Sequence, residues 1–289
     1  MMPGWWTIQD IEPHVHRLVV DVGNPIQKRR ILHMADCHWD SKKCDRALLA
    51  SHLDKAKAEG APVLIYGDFF DVMGGKYDPR SSKSELREEL LVGNYLDEVV
   101  KQAADWLKPW AENIALISLG NHETSITKRH EINLLDRLVY AIKSANPKCE
   151  TQLGKYWGFV NLVFHQQRNQ KRSVSRTLHF SHGYGGGGPV SRGLIDHSRT
   201  RSQYFAHYYL SGHVHWKNTD QNVIAHLSRY GKLQRSQQHF IRCGPYKDEY
   251  DGWHAEQGRS FRPLGGWFTE HELSRTKGNM EYLSRVVEP

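Results

Sequence analysis

Five short polar clusters carry the chemistry on offer in this sequence: Asp36-Cys37-His38, Gly67-Asp68, Gly120-Asn121-His122-Glu123, His182-Gly183 and Gly212-His213-Val214-His215. Their ligand candidates are carboxylates, a carboxamide and several imidazoles. Oxygen and nitrogen donors in that mixture, delivered from separate places to one point, suit a pair of divalent transition metals better than a single-metal site. Asp36 and His38 are one residue apart, so on an extended strand end both side chains project to one side while Cys37 points away. Asp68 follows a glycine that allows a sharp turn, and its two carboxylate oxygens could bridge two ions. His213 and His215 repeat the alternate spacing, so each could serve a different ion.

Strands must position these groups, and the apolar runs that precede them are visible. Ile31 to Ala35 runs into Asp36, Val63 to Tyr66 into Gly67-Asp68, and Ile114 to Leu119 into Gly120-Asn121. Each polar cluster begins where an apolar run stops, which places it at the carboxyl end of a strand, where open α/β sheets build their sites. Helices are expected between these runs. Asp45 to Glu59 has helical spacing and ends at Gly60, a C′ glycine. Ser84 to Trp106 is a longer candidate with Gly93 inside it, and Asn133 to Ser144 is a third, closed by Asn146-Pro147.

The second half changes to aromatic and β-branched runs. Tyr156 to His165 and Ser175 to Ser181 read as a hairpin with its tip at Gln166 to Arg172, and Tyr208 to Ser211, Asn222 to Leu227 and Gln237 to Arg242 read as further strands. The expected architecture is α/β, a four-layer α-β-β-α sandwich of two mixed sheets packed face to face and flanked by helices. One domain is expected over residues 1–289, with a core over about 15–245 and a C-terminal extension over 246–289 that shows no clear periodicity. Gly185 to Gly188 forms a glycine run directly after a ligand cluster, the mark of a mobile or closely approached loop.

The order and content of the clusters resemble the calcineurin-like metallophosphoesterase superfamily. The resemblance covers Ile31 to Trp216 and implies two divalent ions; manganese is the first choice, with iron, zinc, cobalt or nickel as alternatives. It implies that Asp36, His38, Asp68 and His215 hold one ion, and Asp68, Asn121, His182 and His213 the other. His122 then acts as general acid or transition-state stabiliser. Glu123 orients a neighbour, and Asp71, three residues beyond the bridging carboxylate, could turn back on it. A water shared by the ions would attack phosphorus in line. Other histidines read differently: His33 and His179 lie inside apolar runs and fit satisfied core positions, while His130, His165, His197 and His207 have no supporting pattern.

Gly67-Asp68-Phe69-Phe70-Asp71 resembles the matching stretch of double-strand-break repair nucleases in this superfamily. Serine/threonine protein phosphatases continue there with Asp-Arg-Gly, whereas here Val72-Met73-Gly74 follows, without the guanidinium that clamps a phosphomonoester. Lys76 to Arg80 is similar to stretches in bacteriophage-encoded members, which implies work in a host cytoplasm. A net charge of +7 and basic residues interleaved with tyrosines (Lys76, Arg80, Lys83, Arg87, Lys128, Arg129, Arg168, Lys171, Arg172, Arg192, Arg199 and Arg201) suit a nucleic-acid or nucleotide phosphodiester substrate.

Composition sets the remaining bounds. With 39% hydrophobic and 25% charged residues the chain is globular rather than disordered or fibrous. No apolar run approaches the length that spans a bilayer, and the start lacks an export signal, so a cytoplasmic protein without a membrane partner is expected. Four widely spaced cysteines fit reduced thiols. The oligomeric state is open, a homodimer included. Rival readings are a small-molecule phosphatase or cyclic-nucleotide phosphodiesterase, which a deep closed pocket would favour, and a non-catalytic interaction module, which an exposed apolar patch beside a half-empty metal site would favour.

Overall fold

The structure is a computed structural model and describes residues 4–72, 85–166, 169–186, 188, 190–228, 230–251, 261–276 and 279–289. In chain order these form β1 (Trp6–Glu12), β2 (Val15–Asp21), β3 (Arg29–Met34), α1 (Arg46–Glu59), β4 (Val63–Tyr66), α2 (Tyr95–Leu107), β5 (Ile114–Ser118), α3 (Asn121–His130), α4 (Leu134–Ala145), β6 (Gln152–Gly154), β7 (Trp157–Gln166), β8 (Asn169–Ser181), α5 (Leu194–Gln203), β9 (Tyr208–Ser211), β10 (Asn218–Leu227), β11 (Leu233–Arg242), β12 (Trp267–Thr276) and β13 (Asn279–Val287). Among the described residues no helix is long and apolar enough to cross a membrane.

Two mixed sheets stack face to face. One has seven strands in the order β1-β2-β7-β8-β9-β11-β10, the other six in the order β13-β12-β3-β4-β5-β6. Strands β3 to β6 are parallel and joined through α1, α2 and the α3–α4 pair, the arrangement anticipated from the alternating apolar runs. All of β4 and β5 is buried because both faces are covered. Helices cover one face: Leu49, Leu53, Val99, Ala103, Leu134 and Leu138 pack on Leu32, Val63 and Ile65. The other face meets the second sheet through Ile31, Leu64, Tyr66 and Leu116 against Leu18, Leu162, Phe164 and Phe180. On the outside of the seven-stranded sheet, α5 lays His197 on Phe240, with ring centroids 5.2 Å apart.

Local signals explain most boundaries. The Asp45 carboxylate accepts from Leu48 N at 2.9 Å to start α1, and Gly60 ends it in the left-handed region at φ 64°. Asn133 caps α4 in the same way, accepting from Asp136 N at 3.2 Å. The helix expected over Ser84 to Trp106 is corrected: Ser84 lies outside the described residues, Glu88–Leu90 is a single 3-10 turn, and α2 begins only at Tyr95. Gly93 lies in the break, and Leu91 is exposed. The hairpin tip is shorter than expected, since Gln166 pairs with Asn169, and 167–168 lie outside the described residues.

The sheets also reach past the expected core limits of 15–245 on both sides. Strand β1 precedes them, and the aperiodic C-terminal stretch supplies β12, antiparallel to β3, and β13 beyond it. Strand β12 brings polar groups into the space between the sheets. His33 Nδ1 lies 2.8 Å from Tyr66 Oη and its Nε2 lies 2.8 Å from Thr269 Oγ1. Thr269 Oγ1 continues to His271 Nε2 at 2.8 Å, and His271 Nδ1 to Tyr282 Oη at 2.5 Å. Burial pushes His33 down to about 3, so this chain of hydrogen bonds joins neutral rings, and His33 is the satisfied core histidine its apolar context indicated. His179 is also buried, stacked on Tyr204 at 4.2 Å, but neither ring nitrogen has a hydrogen-bond partner among the described residues, so it is not the satisfied position expected. All four cysteines are free and buried.

Candidate metal centre

The carboxyl ends of β3, β4, β5, β8 and β9 meet at one edge of the sandwich, and the five clusters follow these ends directly. Backbone hydrogen bonds extend the pairing beyond the strands, from Asp36 N to Gly67 O at 3.1 Å, His38 N to Asp68 O at 3.1 Å and Gly212 N to His182 O at 3.0 Å. Asp36 and His38 do not sit on an extended strand end, as their spacing implied. Their φ angles are 50° and 44°, and Asp68, His213 and His215 are likewise left-handed at 49°, 69° and 57°. Such angles cost energy for residues with a Cβ and persist where surrounding contacts impose them, commonly at sites of function.

Glycines make the close approach possible. A Cβ on Gly67, itself at φ 85°, would collide with the His182 ring, and one on Gly120 would collide with the Asp68 carboxylate.

Asp36, His38 and His215 form one donor group. His38 Nδ1 lies 2.9 Å from Asp71 Oδ1 and His215 Nδ1 lies 2.9 Å from Glu249 Oε2. Glu249 holds a proton on His215 Nδ1 and so turns its Nε2 lone pair inward, and the Nε2 atoms of His38 and His215 face each other at 3.2 Å. His215 Nε2 is also 3.5 Å from Asp36 Oδ1. Two lone pairs and a carboxylate converging on one point need a positive charge between them, and a divalent ion fits this donor set. Without an ion a proton serves: burial opposes it, yet hydrogen bonds to Asp36 and Glu249 raise His215 to about 10. His38, fully buried and beside two other imidazoles, stays below its ordinary value despite Asp71.

Asp68, His182 and His213 form the second group, joined by Asn121. His182 Nδ1 donates to Tyr66 O at 2.9 Å, leaving Nε2 3.0 Å from both Asp68 Oδ2 and Asn121 Oδ1. His213 Nδ1 stands 2.8 Å from the same Asn121 oxygen. Acceptors again crowd one point. Burial opposes a charge on His182, but Asp68 and then Asp36 raise it to about 9, and the paired imidazoles hold Asp68 well below the carboxylate range although burial pulls it upward. His182 Nε2 is 3.9 Å from Asp36 Oδ1, so the two groups are contiguous. All seven residues expected as ligands are therefore brought together.

His122 sits in the first turn of α3, its Nδ1 donating to Asp71 O at 2.5 Å and its Nε2 3.8 Å from Asp68 Oδ2. Its ring meets His38 edge-on at 4.9 Å. Glu123 is fully buried and accepts from Asp68 N (3.2 Å), Phe70 N (3.0 Å) and Gly120 N (2.9 Å), tying the ends of β4 and β5 together. Burial, then the Asp68 charge, pushes its carboxyl up to about 7. Asp71 receives Lys247 Nζ at 3.1 Å besides His38.

Three contributors escaped the sequence reading. Glu249 and Lys247 come from the irregular stretch after β11, and their only signal is alternate spacing of charges. Asp40 accepts from Val72 N at 2.8 Å and Tyr95 Oη at 2.6 Å, and so holds the loop that carries Asp71. Lys76, Arg80 and Lys83, Gly187 of the glycine run, and Arg168 lie outside the described residues, as do the side chains of Lys171 and Arg172.

Residues 29–217 match a model of the calcineurin-like phosphoesterase family. Similar solved structures include Vacuolar Protein Sorting 29 from Cryptosporidium parvum, 13% identical, with 91% of this chain and 99% of that one covered at a TM-score of 0.36. A predicted phosphoesterase from Streptococcus pneumoniae is 15% identical, covering 90% and 99% at 0.34. A metallophosphoesterase from Sphaerobacter thermophilus is 13% identical, covering 90% and 88% at 0.35. No curated protein matches the sequence.

Proposed function

Because the chain belongs to the calcineurin-like phosphoesterase family, whose centres hold two metal ions, we propose that it cleaves nucleic-acid phosphodiester bonds at such a centre. In this reading Asp36, His38, Asp68 and His215 hold one ion, and Asp68, Asn121, His182 and His213 hold the other. Manganese is the first choice, and iron, zinc, cobalt and nickel accept the same donors. When bound, the ions would acidify a shared water and clamp the phosphoryl oxygens.

The protein's own groups do the rest. Glu249 keeps the tautomer that presents Nε2 of His215, and the Asp71 carboxylate lies 2.9 Å from His38 Nδ1. Glu123 fixes the backbone at Asp68 and Gly120, so the donors need little reorganisation. His122, oriented by Asp71 O, supplies a proton to the departing alkoxide, which a diester needs more than an activated monoester does.

Convergence of the seven donors is the observation that carries phosphoester chemistry. Preference for a polyanionic diester is supported by exposed cations on two of the helices that follow site strands: Lys128 and Arg129 at the end of α3, and Arg192, Arg199 and Arg201 on and before α5, with Tyr184 half exposed. Buried Val72 follows Asp71 at the position that protein phosphatases give to an arginine clamp, so no guanidinium is offered there.

A manganese-loaded assay comparing single-stranded DNA, duplex DNA, RNA, bis-p-nitrophenyl phosphate and p-nitrophenyl phosphate tests the proposal. Turnover of nucleic acid and the diester is expected. Turnover of the monoester alone would overturn the diester reading.

A further inference from the structure

We propose a second ligand site, separate from the metal centre, that binds a nucleoside monophosphate, either free or as the terminal residue of an oligonucleotide. Strands β8, β9 and β11 run parallel, and their carboxyl ends lead to the metal centre. At their other ends, between the sheets, the apolar filling stops and a cleft of ≈ 600 Å³ opens. That volume lies within the range of small-molecule sites.

The core-facing stripe of β11 shows the change. Ile241 belongs to the inter-sheet core, but two-residue steps back along the same face bring His239, Gln237 and Arg235. Of these, His239 is buried, where an unsatisfied polar atom costs stability, while Gln237 and Arg235 are exposed. Arg176 of β8 and Arg235 supply two guanidiniums to the cleft, and no aspartate or glutamate is among the described residues that line it. Two guanidiniums in an acid-free cleft match a phosphate through bidentate hydrogen bonds.

The aromatic half of the ligand follows from the walls. Tyr208, Tyr282 and Phe205 line the same space. Arg176 stacks on the Tyr282 ring, 4.3 Å from its centroid, and His239 stacks on Tyr208 at 5.3 Å and 11°. The hydroxyls of Tyr208 and Tyr282 bond to each other at 2.7 Å, so these rings are held in place before any ligand arrives. His239 is 3% exposed, and its Nδ1 has no hydrogen-bond partner among the described residues. A buried nitrogen of that kind, beside preset aromatic faces and two cations, fits a heteroaromatic base joined to a phosphate.

Calorimetric titration of the full-length, metal-depleted chain with adenosine monophosphate, adenosine, ribose 5-phosphate and a short 5′-phosphorylated oligonucleotide tests this. Saturable 1:1 binding of adenosine monophosphate is expected, with adenosine and ribose 5-phosphate at least about tenfold weaker. Arg176→Ala/Arg235→Ala should lose at least about tenfold in affinity while keeping the thermal midpoint and, after metal loading, the turnover of bis-p-nitrophenyl phosphate. Arg235→Ala alone, with its exposed side chain, replaces the double variant if the latter does not fold. Oligonucleotide binding as tight as the mononucleotide would identify a strand end as the source, and weaker binding would identify the free nucleotide. No saturable binding, unchanged affinity in the variants, or adenosine binding as tightly as its phosphate would each overturn the site.

Discussion

Glu249 Oε2 stands 2.9 Å from His215 Nδ1, so a carboxylate outside every sequence cluster sets which nitrogen of that imidazole faces the centre. Such outer partners typically govern metal affinity by about 10–100-fold. Glu249→Gln should weaken one of the two bound ions by about that factor and leave the other nearly unchanged, as measured by competition with a chromogenic chelator. Equal affinity in variant and parent would remove Glu249 from the account.

His122 donates to Asp71 O, lies beside Asp68, and makes with His38 and Asp71 a further cluster of donors. His122→Asn should lower kcat on a diester by about 10²–10⁴ and keep two ions per chain. A variant of full activity would refute its assignment as the acid, and loss of an ion would make it a ligand instead.

The imidazoles predict how pH acts on the metal-free chain. His182 and His215 are raised from 6.5 to about 9 and about 10, so their contribution to stability is fully present below about pH 6.5 and lost as pH rises through 9 to 10. Asp36 and Asp68 are lowered from 3.8, so their contribution is present above that value and lost as pH falls through their folded values. Urea midpoints of chelated protein should therefore fall between pH 6.5 and 10. Ion binding takes the neutral imidazoles, so the loaded protein should show a much smaller alkaline decline, and ion affinity should rise over the same range. A metal-free chain with a flat midpoint from pH 6.5 to 10 would contradict the site's electrostatics.

Thr269 Oγ1 serves two buried rings at once, His33 Nε2 and His271 Nε2, each at 2.8 Å. Thr269→Val keeps the shape and orphans both nitrogens, at a cost of about 1–3 kcal/mol for each. Chemical denaturation should report a loss of that size with metal content intact, whereas an unchanged midpoint would mean that the polar chain adds nothing to stability.

The clusters were legible because each ends an apolar run whose burial forces a strand: β4 and β5 are buried at every position, so Gly67-Asp68 and Gly120-Asn121 had only one place to go. Left-handed backbone at Asp36, His38 and His215 was not legible, because a residue with a Cβ gives no sign that contacts will impose φ above zero. Glu249, Lys247 and Asp40 were missed because irregular segments carry no hydrophobic period. Strand β12 was missed for a related reason, since Phe268 to His271 is buried on both faces and alternation disappears. The length of α2 was overread because a helical stripe continues through Gly93 although the chain there does not.

Metal counting on the purified, manganese-reconstituted chain tests the centre most directly. Elemental analysis should find two ions per chain in the parent. Asp68→Asn, which removes the carboxylate proposed to serve both ions, should lower the count to one or none while the variant still folds. A parent that retains one ion or none, or an Asp68→Asn variant that keeps both, would contradict a centre of two ions joined through Asp68.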